Sequence, residues 1–410
     1  MRKKKQYMTA TEAAAALEVS RATLYSYVSR GLIRSEPSGE GVRRHRYHAQ
    51  DVRVLLARKA QRRDPSLVVE RALHFGAPVL ASSLTLIDGE RYYYRGEDAL
   101  QLATSRSVEE VASFMWSGDW SRLRFDGAEV DLSEDDARAG FNLTTLERFQ
   151  RELPLAGAAD LAAYDLRTEA VWACGSRILA LLTTVAAGVP LQSGIVSTLL
   201  RGWNIRLKGA ERLLTAALIL CADHELNVSS FTARCVASAR STPYQVVQAG
   251  LAALQGTRHG GHTARVAALL DEVREPSRAR DALGERLRRG EQIPGFGHPL
   301  YAQGDPRARL LLRLIRETAA EAPSVRLAHA VTTETARLVG QRPTIDFALA
   351  TLARLFDRPR DGALTIFALG RTIGWIGHAI EQYETDQMIR PRARYEGPLP
   401  DRTGEDTVAT

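Results

Sequence analysis

Five stretches carry groups able to move protons or hold anions. The densest is Ile293-Pro-Gly-Phe-Gly-His-Pro-Leu-Tyr301, continued by Ala302-Gln-Gly-Asp-Pro-Arg307. Gly295 and Gly297 flank an aromatic, so the backbone there can take φ angles closed to other residues and come close to a ligand. His298 follows at once, and Arg307 comes nine residues later. Bare backbone, one imidazole and one fixed cation suit a small anion that is both held and polarised. The other stretches are Asp223-His224-Glu225-Leu226-Asn227, Gly256-Thr-Arg-His259-Gly-Gly261, Arg342-Pro-Thr-Ile-Asp346, and Leu369-Gly-Arg371 through His378 with Ile389-Arg390-Pro391-Arg392 after it. Each also has a plain structural reading: a polar helix end, a glycine turn, an N-cap for Asp346, a surface cation for Arg371, a solvated cluster from Arg390 to Arg394.

The elements that must position these groups are helices. Leu213, Leu214, Ala217, Leu218 and Cys221 repeat at helical spacing up to Asp223, and a second run from Val246 to Leu254 stops at Gly256. Val108 to Trp116 has the same period, and Leu369 to His378 reads as the start of a helix. One hairpin stands out, Leu84 to Gly89 followed by Arg91 to Gly96, with Asp88-Gly89 supplying the turn. The body is therefore expected to be all-α.

Length and composition set the frame. A chain of 410 residues is too long for one small core and predicts two or three domains. No run approaches the roughly 18 apolar residues of a membrane span. Arg2 to Lys5 is not followed by an apolar segment, so the expected location is the cytoplasm. Cys174, Cys221 and Cys235 have no metal or redox spacing and read as reduced structural thiols. Charge is uneven. Residues 1–63 hold fifteen Lys/Arg against five Asp/Glu, a net of +10, which leaves −3 on the other 347 residues. A basic head on a slightly acidic body points to two functions in one chain.

In the head, Thr9-Ala-Thr-Glu12 has capping-box spacing ahead of the helix-forming run to Leu17. Ser20 is placed as the N-cap of a second helix, Arg21 to Arg30, which Gly31 ends. That helix would present Arg21, Thr23, Tyr25 and Ser26 to base edges or phosphates. Leu32 to Arg34 and Val42 to Tyr47 read as a hairpin around Ser38 to Gly41, with Arg43, Arg44 and Arg46 on its basic second strand. Asp51 is expected to cap a third helix reaching about Arg63. The stretch resembles the winged helix-turn-helix of the MerR and excisionase type, which implies nucleic acid as a partner. The alternative is a basic cap that packs on the body or on another subunit. Residues 64–80, with Asp64-Pro65 at their start, read as a linker whose helical part runs from Leu67 to Leu73.

The order and spacing of the body's blocks resemble citrate synthase from about Leu84 to Pro398. The blocks are Asp223 to Asn227 with Phe231 to Arg234, His259 to Gly261, Gly295 to His298 with Asp305 to Arg307, Pro343 to Asp346, Gly370-Arg371 with Gly374 to Ile376, and Arg390-Pro391. The resemblance implies a large helical domain plus a small one, within residues 81–410, the small one spanning roughly 225–340 and closing over substrate. It implies condensation of acetyl-CoA with oxaloacetate, with Asp346 as base, His259 as neutral donor to the thioester oxygen and His298 polarising the ketone. By the same resemblance His224, Arg307, Arg371 and Arg390 bind oxaloacetate, Arg390 from the other subunit of a homodimer. Gln292, Ile293, Pro294, Gly295, Phe296 and Gly297 would contact the CoA adenine. A helix N-terminus beside the glycines is expected to help keep His259 uncharged. No metal or cofactor is expected, acetyl-CoA being a substrate. Thr344 stands where the family commonly has Asn, and Thr257-Arg258 where it often has Pro, which leaves the acyl group open: 2-methylcitrate synthase, using propionyl-CoA, carries the same blocks. A DNA-binding regulator with the body as metabolite sensor is the further alternative.

Overall fold

The computed structural model describes residues 7–37, 45–52, 55, 79–121 and 143–398. The chain divides into two compact units, Met1–Ala81 and Ser82–Thr410.

The first unit opens with β1 (Tyr7–Thr9), which leads into α1 (Ala10–Leu17) through a complete capping box, Thr9 with Glu12. Glu18 turns the chain in the left-handed region, and the Ser20 hydroxyl caps α2 (Arg21–Ser29) by accepting from the Thr23 amide. With β2 (Ser35–Pro37) and β3 (His45–His48), β1 forms an antiparallel sheet of order β1-β3-β2. Ala13, Ala14, Leu17, Leu24, Ile33, Tyr47 and Val52 fill a small core between helices and sheet. Two expectations change here. Leu32 to Arg34 is not a strand, because Ile33 turns into the core and pairing starts at Ser35. Asp51 is not a cap: the helix opens at Ala49, and the Asp51 carboxylate takes the Arg34 backbone N–H and a two-pronged Arg34 guanidinium, each at 2.9 Å. Arg43, Arg44, the Ser38 to Gly41 turn, the linker helix and most of the third helix lie outside the described residues.

The second unit opens with the expected hairpin, β4 (Thr85–Asp88) and β5 (Arg91–Tyr94), extended by β6 (Glu97–Asp98). Helices follow: α3 (Ala99–Ser105), α4 (Val108–Ser117), α5 (Thr145–Ala159), α6 (Thr168–Ala187), α7 (Ile195–Gly202) and α8 (Ala210–Cys221). After these come α9 (Val228–Ser238), α10 (Pro243–Leu254), α11 (His262–Val273), α12 (Ala279–Arg288), α13 (Pro306–Ala319), α14 (Pro323–Val339), α15 (Ile345–Leu355) and α16 (Gly362–Thr385). Side-chain caps explain many starts. Asp98, Ser107, Thr144 and Asn227 each accept from backbone amides in the first turn of the helix they precede.

One helix organises the rest. α16 runs through the core against α6, α8, α9, α10 and α15, buried nearly all round. It and α6 are long and apolar enough to cross a membrane by length and composition, but their apolar windows are 94% and 78% buried inside the protein, as core helices are. Leu369 to His378 is therefore the middle of a helix and not its start. Glycine explains the close fit: a Cβ on Gly370 or Gly374 would run into the carbonyls of Leu218 and Ala222 at the end of α8. The Gly374 N–H donates to the Ala222 carbonyl at 2.9 Å, backbone to backbone between two helices. Gly374→Ala is expected to lower unfolding stability by about 1–3 kcal/mol through overpacking, read as a fall in the denaturant midpoint at unchanged slope.

The three cysteines are structural. Cys174 and Cys221 are buried, and burial pushes both thiols up to about 12; Cys235 is half-buried and also raised.

Candidate active site

The end of α8, where α16 approaches, presents the first group. Asp223 is fully buried. Its carboxylate accepts from Thr85 Oγ at 2.6 Å and from Ser230 Oγ at 3.3 Å and faces His378 Nε2 at 3.2 Å. Burial opposes its charge, but His378 and Arg371 hold it below its ordinary value. Asp223 thus fixes the backbone that sets His224 beside it. Asn227 then starts α9 by accepting from the Ser229 and Ser230 amides.

His224 is buried, with Nε2 2.7 Å from the Tyr301 hydroxyl and its ring 5.7 Å from that of His298. His298 accepts the Leu300 N–H on Nδ1 at 3.2 Å. A neutral imidazole then keeps its proton on Nε2. The loop before it is zipped to the segment preceding α15. Gly297 N–H donates to the Arg342 carbonyl and Thr344 N–H to the Gly295 carbonyl, at 2.9 and 2.8 Å. Gly295 sits at φ +84°, and a Cβ there would meet Val266 and Phe347. Ile293 to Phe296 are buried, while Gln292 and Gly297 are exposed.

One carboxylate ties this loop to two helices. Asp305 caps α13 through the Arg307 amide at 3.0 Å and reaches the first amide of α15, Ile345, at 3.0 Å. It also grips Arg307 through Nε and Nη2, at 3.0 and 2.8 Å. Burial works against the Arg307 charge, and Asp305 more than restores it. Arg371 has less help. Its Nε donates to the Cys221 carbonyl at 2.8 Å, Nη1 is buried without a hydrogen-bond partner, and burial lowers its pKa.

Asp346 sits in the first turn of α15, just after the loop, and the N-cap is Thr344 rather than Asp346. The Thr344 hydroxyl lies 3.2 Å from Asp346 Oδ2 and 3.2 Å from the Gly295 carbonyl, sharing one proton between them. By surface exposure Asp346 is half-buried, yet protein surrounds its carboxyl densely. That burial raises it to about 6, with Arg307 and the Thr344 hydrogen bond pulling the other way. His259 Nε2 lies 2.8 Å from Ser229 Oγ, which also accepts the Trp375 indole N–H at 3.1 Å. Burial first, then Arg371 and Arg307, lower His259 to about 3. The helix expected beside it, α11, begins three residues later at His262. Burial and Arg307 lower His298 to about 4, and burial with Arg307 and Arg371 takes His224 well below the ordinary range. Three neutral imidazoles, one raised carboxyl and two buried guanidiniums therefore share one site.

Residues 74–392 match the family described as citrate synthase, C-terminal domain. The chain belongs to the citrate synthase family. Residues 7–60 match a helix-turn-helix domain family. The chain is 30% identical to citrate synthase 2 of Bacillus subtilis over 356 residues, 79% of this chain and 95% of that one. It is also 30% identical to the citrate synthase of Haloferax volcanii over 361 residues, 78% and 94% of the two chains. A 2-methylcitrate synthase of Corynebacterium glutamicum is 33% identical over 44% of this chain and 48% of its own. Among solved structures, Thermotoga maritima citrate synthase aligns with TM-score 0.65 at 26% identity, covering 79% of this chain and 95% of that one. The Thermoplasma acidophilum enzyme, in ternary complex with carboxymethyl coenzyme A and oxaloacetate, shares the fold with TM-score 0.69 at 21% identity over 79% and 95%.

Within this citrate synthase fold, His224, His259, His298, Arg307, Asp346 and Arg371 come together. Arg390 does not: it is exposed beyond the end of α16 at Thr385. Thr257 and Arg258 are exposed, away from the buried face of His259. Sequence reasoning left Asp305, Ser229 and Tyr301 without roles. For Asp305 the Asp-Pro pair at a helix start was a usable sign; Ser229 and Tyr301 gain theirs only through contacts to His259 and His224, 30 and 77 residues distant in the chain.

Proposed function

We propose that the body condenses acetyl-CoA with oxaloacetate and hydrolyses the product thioester, giving citrate and CoA. What supports this above all is one convergence: a carboxyl raised to about 6 beside imidazoles lowered to about 3 and 4, at two buried guanidiniums. Oxaloacetate brings two carboxylates and a ketone. Arg371, whose buried Nη1 lacks a partner, and Arg307 take carboxylate oxygens, with His224 as a further donor. His298, its proton on Nε2, donates to the ketone oxygen and draws electron density from the carbon to be attacked.

Asp346 removes a proton from the thioester methyl, and the electron pair moves toward the thioester oxygen as an enolate. His259 stabilises that oxygen. The Ser229 hydroxyl lies 2.8 Å from both Asn227 Oδ1 and His259 Nε2 and accepts the Trp375 indole N–H, so it holds the His259 ring from that side. The enolate carbon then attacks the polarised ketone, and water cleaves the thioester to release CoA. No step calls for a metal. The partner subunit's Arg390 completes the carboxylate site in a homodimer, and the loop from Gln292 to Gly297 borders the CoA adenine. Mixing the protein with oxaloacetate and acetyl-CoA, and separately with propionyl-CoA, should release free thiol. No thiol from either, in a folded protein, overturns the proposal; faster release from propionyl-CoA makes it a 2-methylcitrate synthase.

The head supports a second, compatible activity. Its helix-turn-helix match and net charge of +10 suit duplex DNA, with Arg21, Thr23 and Tyr25 on α2 and Arg46 on β3 exposed or half-exposed. Full-length protein should bind duplex DNA at low salt and lose affinity steeply as salt rises. Arg21→Ala should weaken binding several-fold; no binding at low salt refutes this reading.

A further inference from the structure

Tyr301 ends the glycine-rich loop and belongs to none of the roles above, yet it touches two of the histidines. Its hydroxyl lies 2.7 Å from His224 Nε2, with ring centroids 5.6 Å apart. Its ring also lies 4.9 Å from that of His298. The side chain is 2% exposed. Local backbone explains how it gets there: Tyr301 N–H donates to the His298 carbonyl at 3.3 Å, and Gly304 N–H returns to the Tyr301 carbonyl at 3.1 Å. Gly304 holds φ +102° against the Arg342 side chain, closing the turn. The phenol is therefore wedged between the two imidazoles and not free to swing.

We propose that Tyr301 is a positioning residue for oxaloacetate, acting through His224. This rests on the reading of His224 as part of the oxaloacetate site. A neutral imidazole has one donor nitrogen and one acceptor nitrogen. The hydroxyl on Nε2 fixes how the ring is turned, and a phenol that donates to Nε2 leaves the imidazole proton on Nδ1 for the substrate carboxylate. Burial keeps the phenol protonated, raised to about 12, so it stays a neutral hydrogen-bonding group across the working pH range. Tyr92 also packs near it, its ring centroid 6.2 Å from that of His224. Without the hydroxyl, the ring of His224 is held by packing alone and presents a mixture of tautomers to the substrate carboxylate.

The test is Tyr301→Phe, which keeps the ring and removes one oxygen, in the full-length protein. KM for oxaloacetate should rise about tenfold, with kcat and the acetyl-CoA KM changing less than about threefold. Histidine ring nitrogen resonances of His224 should move from one tautomer toward a mixture. In a cycle with His224→Asn, the Tyr301→Phe effect on oxaloacetate KM should vanish, because its target has gone. An unchanged oxaloacetate KM in Tyr301→Phe, or effects that simply add in the double variant, overturns the proposal. A wild type that releases no thiol instead overturns the synthase reading, so the two failures are separate.

Discussion

Asp346→Asn should lower kcat by about two to four orders of magnitude, the range of a lost general base, with the oxaloacetate KM within a few-fold of wild type. The same variant should be more stable than wild type at pH 7. Both effects have one cause. Burial raises the Asp346 carboxyl to about 6 from an ordinary value of 3.8. A base of that strength is ionised at neutral pH yet far more basic than a solvated aspartate, which suits removal of a weakly acidic methyl proton. The folded protein, however, binds a proton between about pH 4 and 6 that the unfolded chain has released. More protons in the native state means stability falls as pH rises through that window. At pH 7 the full cost is present, on the order of 3 kcal/mol. Asparagine keeps the shape and drops the charge, so thermal unfolding should show a higher midpoint above pH 6 and little difference near pH 4. In the wild type, kcat/KM should fall about tenfold per unit below pH 6 as Asp346 takes up its proton. Equal melting temperatures at pH 7 would remove the burial explanation, and retained kcat would remove Asp346 as the base.

Arg371→Gln should raise the oxaloacetate KM by about 30- to 1000-fold, the expected loss when one partner of a buried charge pair is removed. Arg371 is 1% exposed, holds the Cys221 carbonyl through Nε and leaves buried Nη1 unpaired. A buried guanidinium nitrogen without an acceptor is a poor state for the empty protein and a strong one once a carboxylate arrives. Oxaloacetate should accordingly raise the melting temperature of the wild type, and the shift should disappear in Arg371→Gln. A glutamine variant that keeps both the affinity and the shift would show that Arg371 does not meet the substrate.

The fold was legible where local chemistry decides it. Thr9 with Glu12 and Ser20 marked the starts of α1 and α2, and Gly89 marked the hairpin, although its turn is Gly89-Glu90 and Asp88 still pairs with Arg91. β1 escaped notice because three residues show no alternation to read, and only pairing with β3 makes them a strand. Leu369 to His378 was misplaced along its helix because Gly370, Gly374 and Gly377 mimic a helix boundary. Their reason lies in the α8 backbone and the Leu84 side chain, distant in the chain. The six groups of the site could be named because they lie in compact blocks, but what tunes them could not. That Asp305 caps two helices, or that burial and two arginines keep His259 neutral, depends on burial and on contacts between helices distant in the chain.

The inert cysteines bear on how the thiol-release experiment is read. A disulfide reagent that counts liberated CoA also attacks accessible protein thiolates. Cys174 and Cys221, buried and raised to about 12, present almost no thiolate to it. Half-buried Cys235 contributes at most one equivalent per chain and then stops. Any colour beyond that first equivalent is turnover, so this chain carries its own internal calibration of active-site concentration against product.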